Sequence, residues 1–301
     1  MKDSTFTFGK RGSRVGIVSA PETDPLPVAA VVINSGRIHR VGPHRVYVRL
    51  ARALAAEGFL TARIDLSGLG DSEPREDFRP LGECAVEEVA EAVEVLRERF
   101  GIERFVLMGN CAGAAVAFTA LATDARLAGA VLMNINAYGT DDDTAELLAR
   151  KAAEQFYVRR ACLDPERWKK LFSGRSSYRR VASTVARKFL PASDQDKEFD
   201  REVARVGAEL ERLRQSGTRL LFVFTEGDAS IDLYELMVGK LEADLKTSAI
   251  LERRLMEGSD HLFSVREAQR ELVDGVLVWM RGLQLDSGVD RQAVVQLEDE
   301  L

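Results

Sequence analysis

The chain has 301 residues, 46% of them hydrophobic and 30% charged, with 8 prolines; this excludes a disulfide mini-protein and a disordered or collagen-like chain and leaves one large domain or two modest ones. Its 42 basic and 48 acidic residues give a formal net charge of −6, which argues against nucleic-acid binding through the whole surface. Three scattered cysteines, Cys84, Cys111 and Cys162, offer neither a disulfide framework nor a CxxC metal site and fit a reducing cytoplasm.

Residues 1–12 are polar and basic without the apolar core of a secretory signal, and the longest apolar stretch, 111–122, is shorter than the roughly 18 residues of a membrane span. Short β-branched runs then alternate with longer amphipathic segments, the pattern of a mostly parallel sheet with helices on both faces. An α/β fold is expected. Its strands are predicted at Thr5–Phe8 and Arg14–Ser19, an antiparallel hairpin, and at Ala29–Ile33, Leu60–Ile64, Arg104–Met108 and Ala130–Met133. Helices are predicted at Val46–Glu57, Val86–Phe100 and Ala112–Thr123, with Val89, Val93 and Leu96 at helical spacing. From 136 to 215 strand signals fade and charge rises, which reads as an inserted helical lid. Strands return at Thr218–Phe224 and Ser248–Leu255, with helices at Leu233–Leu245 and Ser264–Gly282. The expected organisation is a core of 1–135 and 216–282, a lid of 136–215 and a loosely packed tail of 283–301.

Gly109-Asn110-Cys111-Ala112-Gly113 joins a strand to a small-residue helix, the setting of the G-x-S-x-G nucleophile elbow, with cysteine where serine is usual. A thiol at a helix N-terminus is favoured as the thiolate, so Cys111 is the candidate nucleophile. An acid and then a histidine should follow at the ends of later strands. Asp228, after Leu220–Phe224, is favoured as the acid over Glu226, Asp232 and Asp260; His261, in the loop after the last strand, is the expected base. The oxyanion donors are expected from the N–H of Ala112 and from the loop after Ala29–Ile33, within Gly36 to Ile38, with Gly36 and Arg37 the leading choices. That loop also carries His39, Arg40, His44 and Arg45, which either line the active-site entrance or form a solvated loop. Ile38, His39, Asn110, Phe156 and Trp168 are the expected substrate contacts; Phe156 and Trp168, with Tyr157, Leu171 and Phe172, could wall an acyl pocket, though residues at near-helical spacing are more often lid core. No metal-ligand spacing and no Walker or dinucleotide fingerprint stands out, and no cofactor is expected.

The run Asp65-Leu66-Ser67-Gly68-Leu69-Gly70-Asp71-Ser72 resembles the D-x-x-G-x-G-x-S turn of α/β-hydrolases, where it is structural. Residues 36–45, with 50–55 and Gly58-Phe59, resemble the exosortase A system-associated hydrolases, bacterial α/β-hydrolases with cysteine at the elbow. The resemblance spans 14–135 and 218–282. It implies an α/β-hydrolase fold and acyl-group chemistry without naming a substrate. Dienelactone hydrolases are similar in using a Cys-His-Asp set.

A cysteine nucleophile implies a thioester acyl-enzyme, released to water by a thioesterase or esterase, or to an amine or alcohol by an acyltransferase. The expected partner is a small acyl substrate, free or carried on CoA or an acyl carrier protein, and a homodimer is compatible with the chain. Between Arg150 and Lys188 stand 12 Lys/Arg against 3 Asp/Glu, either a docking face for such an acidic carrier or a solvated helical face. Two alternatives are a carbon–carbon or lactone hydrolase and a non-catalytic binding protein that keeps the elbow for its fold.

Overall fold

The computed structural model describes residues 1–139, 144, 146–148, 150–151 and 194–286. Among the described residues eight strands form one sheet: β1 (Lys2–Phe8), β2 (Arg14–Ala20), β3 (Val28–Val32), β4 (Thr61–Ile64), β5 (Arg104–Asn110), β6 (Leu127–Met133), β7 (Arg219–Thr225) and β8 (Leu251–Met256). Their order is β1-β2-β4-β3-β5-β6-β7-β8. Only β2 runs against the rest, pairing antiparallel with β1 and β4. The hairpin of β1 and β2 thus adds to a parallel sheet whose central strands are buried on both faces. That is why β3 reads Val-Ala-Ala-Val-Val without a polar residue.

Alternation along the strands sends side chains to two cores. Val31, Leu107, Leu132 and Phe222 face α2 (Leu81–Phe100), α3 (Ala112–Ala120) and α4 (Asp194–Ser216). Val32, Met108, Val131 and Val223 face α1 (Val46–Ala56) and α7 (Arg266–Asp286). A connection between parallel strands must cross over the sheet, so the loops leaving the C-termini of the parallel strands β3 to β8 open on one edge, where sites form in this architecture.

Strands β1, β6 and β8 and helix α3 each differ from expectation by three residues at one end, and α7 runs to Asp286, into the expected tail; three other differences have local causes. Helix α2 begins at Leu81, five residues early, because Pro80 closes the preceding loop in an extended conformation and leaves the helix to start behind it. In place of one helix over Leu233–Leu245 there are two, α5 (Ser230–Met237) and α6 (Glu242–Thr247). Gly239 interrupts them: its N–H and that of Val238 both donate to the Tyr234 carbonyl, at 3.2 and 2.7 Å, tightening the turn until the helix ends. Helix α4, expected within the lid, packs Val206, Leu210 and Leu213 into the same core as the sheet and leads into β7. Residues 152–193 of the expected lid and 287–301 of the expected tail lie outside the described residues. Among the described residues no helix is long and apolar enough to cross a membrane.

Candidate active site

Cys111 stands alone between β5 and α3 with φ 58° and ψ −121°, a backbone region that non-glycine residues seldom occupy and that costs on the order of 1–3 kcal/mol. The strain is held on both sides. The Cys111 N–H donates to the Met133 carbonyl at 2.9 Å, and its own carbonyl accepts from Ala114 and Ala115 at 3.0 and 3.2 Å. The flanking glycines are there for space: a Cβ on Gly109 would overlap the backbone of Gly113, and one on Gly113 would overlap the carbonyl oxygen of Asn34. The helix turns so closely over β3 and β5 that no side chain fits between them. The thiol is left partly exposed at the C-terminal edge of the sheet.

His261 and Asp228 meet at that edge. Asp228 lies in the turn after β7 and its Oδ2 is 2.6 Å from His261 Nδ1, while its Oδ1 accepts the Ser230 N–H at 2.9 Å. Burial pushes the Asp228 carboxyl up, but the hydrogen bonds from His261 and Ser230 outweigh it and hold the group below the usual carboxylate range. The imidazole is raised to about 10, first by the bond to Asp228 and next by its interaction with the Cys111 side chain, against desolvation. The three side chains picked from the sequence are therefore brought together by three different loops. Asp260 is spent elsewhere, accepting the N–H and hydroxyl of Ser264 at 2.8 and 2.6 Å, and Glu226 accepts the Gly258 N–H at 3.2 Å.

Beneath these residues lies a buried amide network. Asn110, expected to face substrate, is fully buried beneath the elbow: its Nδ2 donates to Ser35 Oγ at 3.1 Å and to the His261 carbonyl at 3.3 Å, and its N–H donates to the Tyr47 hydroxyl at 2.8 Å. Asn134, at the end of β6 with φ 43°, donates to the same His261 carbonyl at 3.3 Å and accepts the Thr225 N–H at 2.9 Å. Two amides thus hold residue 261 by its main chain. Ser35, Tyr47, Asn134 and Thr225 went unnoticed in the sequence; each follows or lies in an apolar run and carries no motif. Asn134→Ala is expected to destabilise the fold by about 2 kcal/mol, since it leaves the buried Thr225 N–H unpaired. A shifted denaturant midpoint together with faster amide exchange at Thr225 checks it.

The loop after β3 is pinned by Asp65, which is fully buried. Its carboxylate accepts Asn34 Nδ2 at 2.8 Å, the Arg40 N–H at 2.7 Å and the Arg40 guanidinium, which also binds Asp71. Ser72 Oγ donates to the Asp65 carbonyl at 2.7 Å, so the D-x-x-G-x-G-x-S turn ties this loop to β2 and β4. Gly36 and Arg37 are exposed on it, and Ile38 and His39 half-buried. The Ala112 N–H belongs to the first turn of α3, whose donors have no acceptor within the helix. His39, Asp65 and Asp71 place one nitrogen and two carboxylates within 4.8 Å of one another. The guanidinium of Arg40 already bridges both acids there. Phe156, Trp168 and the basic run of 152–188 lie outside the described residues. A cleft of about 540 Å³ lined by Arg104, Leu127, Leu213 and Thr218 opens at the opposite edge of the sheet, away from Cys111.

Comparison with known proteins agrees with this architecture. A family model described as the alpha/beta hydrolase fold matches residues 29–187. No curated protein matches the chain. Among solved structures, proline iminopeptidase from Mycobacterium smegmatis is 18% identical, with 94% of this chain and 100% of that one covered and a TM-score of 0.58. A thermophilic esterase from Thermogutta terrifontis is 17% identical over 94% and 100% of the two chains with a TM-score of 0.54. An alpha-beta serine hydrolase homologue from Coxiella burnetii is 14% identical over 91% and 95%, with a TM-score of 0.53.

Proposed function

The chain belongs to the alpha/beta hydrolase family, and from that premise we propose that it is an acyl-handling enzyme in which Cys111 is the nucleophile, His261 the acid and base, and Asp228 the group that orients His261. The observation that carries this reading is the convergence of the elbow thiol, the imidazole and the carboxylate, with 2.6 Å between Asp228 and His261. An imidazole raised to about 10 holds a proton at neutral pH and can give it to a leaving group.

The thiolate adds to the acyl carbonyl carbon, and the negative charge moves to the carbonyl oxygen. The Ala112 N–H and a donor from Gly36 or Arg37 donate hydrogen bonds to that oxygen. Collapse of the tetrahedral adduct breaks the bond to the alcohol or thiol leaving group, which takes the His261 proton, and a thioester on Cys111 remains. In the second half His261 removes a proton from water, or from an amine or alcohol acceptor, as it attacks the thioester. The Cys111 thiolate leaves and His261 is again protonated. Ile38 and His39 border the site as substrate contacts, and a reducing cytoplasm would keep the thiol competent. The resemblance of 36–45 to the exosortase A system-associated hydrolases supports a cysteine in this role.

The test is intact mass after incubation with short, long and aromatic acyl esters and thioesters, on CoA and on carrier protein. An acyl adduct absent from Cys111→Ala is expected, with free acid or transferred product appearing in step. A panel that yields neither adduct nor product overturns the reading in favour of a carbon–carbon or lactone hydrolase or a binding protein.

A further inference from the structure

Strand β4 carries an arginine in its interior. Its neighbours Ala62 and Ile64 enter the core under α2 and α3, so alternation turns Arg63 to the other face, toward α1. Arg63 is 3% exposed, and its Nε is buried without a partner. Among the described residues no carboxylate pairs with its guanidinium. Asp3, the acid whose charge acts on Arg63, is bound to Arg52 at 2.8 Å and to the Ser19 hydroxyl at 2.6 Å. The other charges beside Arg63 are positive: Arg52, Arg40 and Arg45, which together with burial lower its affinity for the proton. A buried cation left this way is among the costliest arrangements a fold carries, and it calls for an explanation.

The helix above supplies more of the same charge. Arg45, Arg49 and Arg52 fall at i, i+4 and i+7 on one exposed face of α1 and its cap. From 25 to 56 the sequence contains five arginines and no Asp or Glu. Arg40 is committed to Asp65 and Asp71. Asp3 bonds Arg52, and among the described residues Arg45, Arg49 and Arg63 have no carboxylate partner, which leaves a surplus of positive charge on this face.

We propose that the arginine cluster between α1 and strands β2 and β4, with Arg63 at its base and Arg45 and Arg52 at its rim, binds a phosphate monoester. Such a group carries about −1.5 to −2 charges at pH 7 and offsets more of that surplus than a single carboxylate would. Planar guanidinium forks suit its oxygens better than ammonium groups would. Arg45 and Arg52 follow Gly36 and Arg37 along the chain from β3 into α1, but the proposal concerns binding and does not require Cys111 to be active.

The experiment is calorimetric titration and thermal unfolding of the full chain with inorganic phosphate at constant ionic strength. Arg63→Met replaces the buried cation with an apolar side chain of similar length and is expected to fold, because a buried charge is often dispensable to stability. The wild type should show saturable binding and a higher midpoint with phosphate. Arg63→Met should lose both, and the exposed variant Arg45→Gln should bind about tenfold more weakly. Arg45→Gln alone decides the matter if Arg63→Met does not accumulate. Equal phosphate binding by wild type and variants, or the same midpoint shift from chloride, overturns the proposal. Tighter binding of coenzyme A than of phosphate, with none by pantetheine, identifies an acyl donor as the source; equal affinities identify the free anion.

Discussion

Asp228→Asn is expected to lower kcat for acyl transfer by about four orders of magnitude while leaving the fold intact. Asn keeps the shape of Asp but presents a neutral amide where the ring needs a carboxylate, so it neither reliably accepts the Nδ1–H hydrogen bond nor stabilises the imidazolium. The bond to Asp228 is the largest cause of the raised imidazole pKa, and its loss brings His261 down from about 10. A histidine whose folded pKa lies above its unfolded value of about 6.5 adds stability that is complete below 6.5 and is lost as pH rises through the folded value. Wild type should therefore lose stability between about pH 6.5 and 10, and Asp228→Asn should lose less over that window. Single-turnover rates and denaturant midpoints across this range test both halves. A rate within tenfold of wild type would remove Asp228 from the proposed mechanism.

Gly113→Ala is expected to cost about 3 kcal/mol or more, lowering the thermal midpoint by about 5 °C or more or preventing soluble accumulation. The added Cβ would overlap the Asn34 carbonyl oxygen, and the Ile33 carbonyl oxygen and Asn34 carbonyl carbon also stand close by. Both residues are backbone at the end of β3, so no rotamer change relieves the clash. Asn34 also holds Asp65 and the Leu66 N–H, at 2.8 Å each, and a shift there propagates into the loop with the oxyanion donors. Calorimetry of the variant beside Ala115→Gly, which only removes a methyl from the same helix, separates this clash from a general helix effect.

Much of this was legible because the informative residues sit where local physics is strong. Val28–Val32 and Arg219–Thr225 announce buried parallel strands by their apolar runs, and Gly109 and Gly113 mark a turn that tolerates no side chain. Asp228 and His261 follow because each ends a loop after such a strand. The supporting contacts were not legible. Asn110 read as a substrate contact because its position beside Cys111 is visible in sequence, whereas its partners are 75 and 151 residues away. Tyr47 resembles any helix-core aromatic until its hydroxyl is seen on the elbow N–H. Helix α4 looked like lid because its charged outer face dominates its composition, while the apolar stripe of Val206, Leu210 and Leu213 is narrow.

The outermost strands bear on how the chain behaves while it folds. β1 and β8 flank the described sheet, and the outer row of N–H and C=O groups on such a strand is a template for another molecule. β8 reads Leu251-Glu252-Arg253-Arg254-Leu255-Met256, with three consecutive charges across its middle, and β1 begins Lys2-Asp3. A second chain docking there would have to strip water from those charges. The slow assembly of a parallel sheet, which leaves strands waiting for partners, is thus protected against cross-chain aggregation at its two rims by residues that play no part in chemistry at the centre.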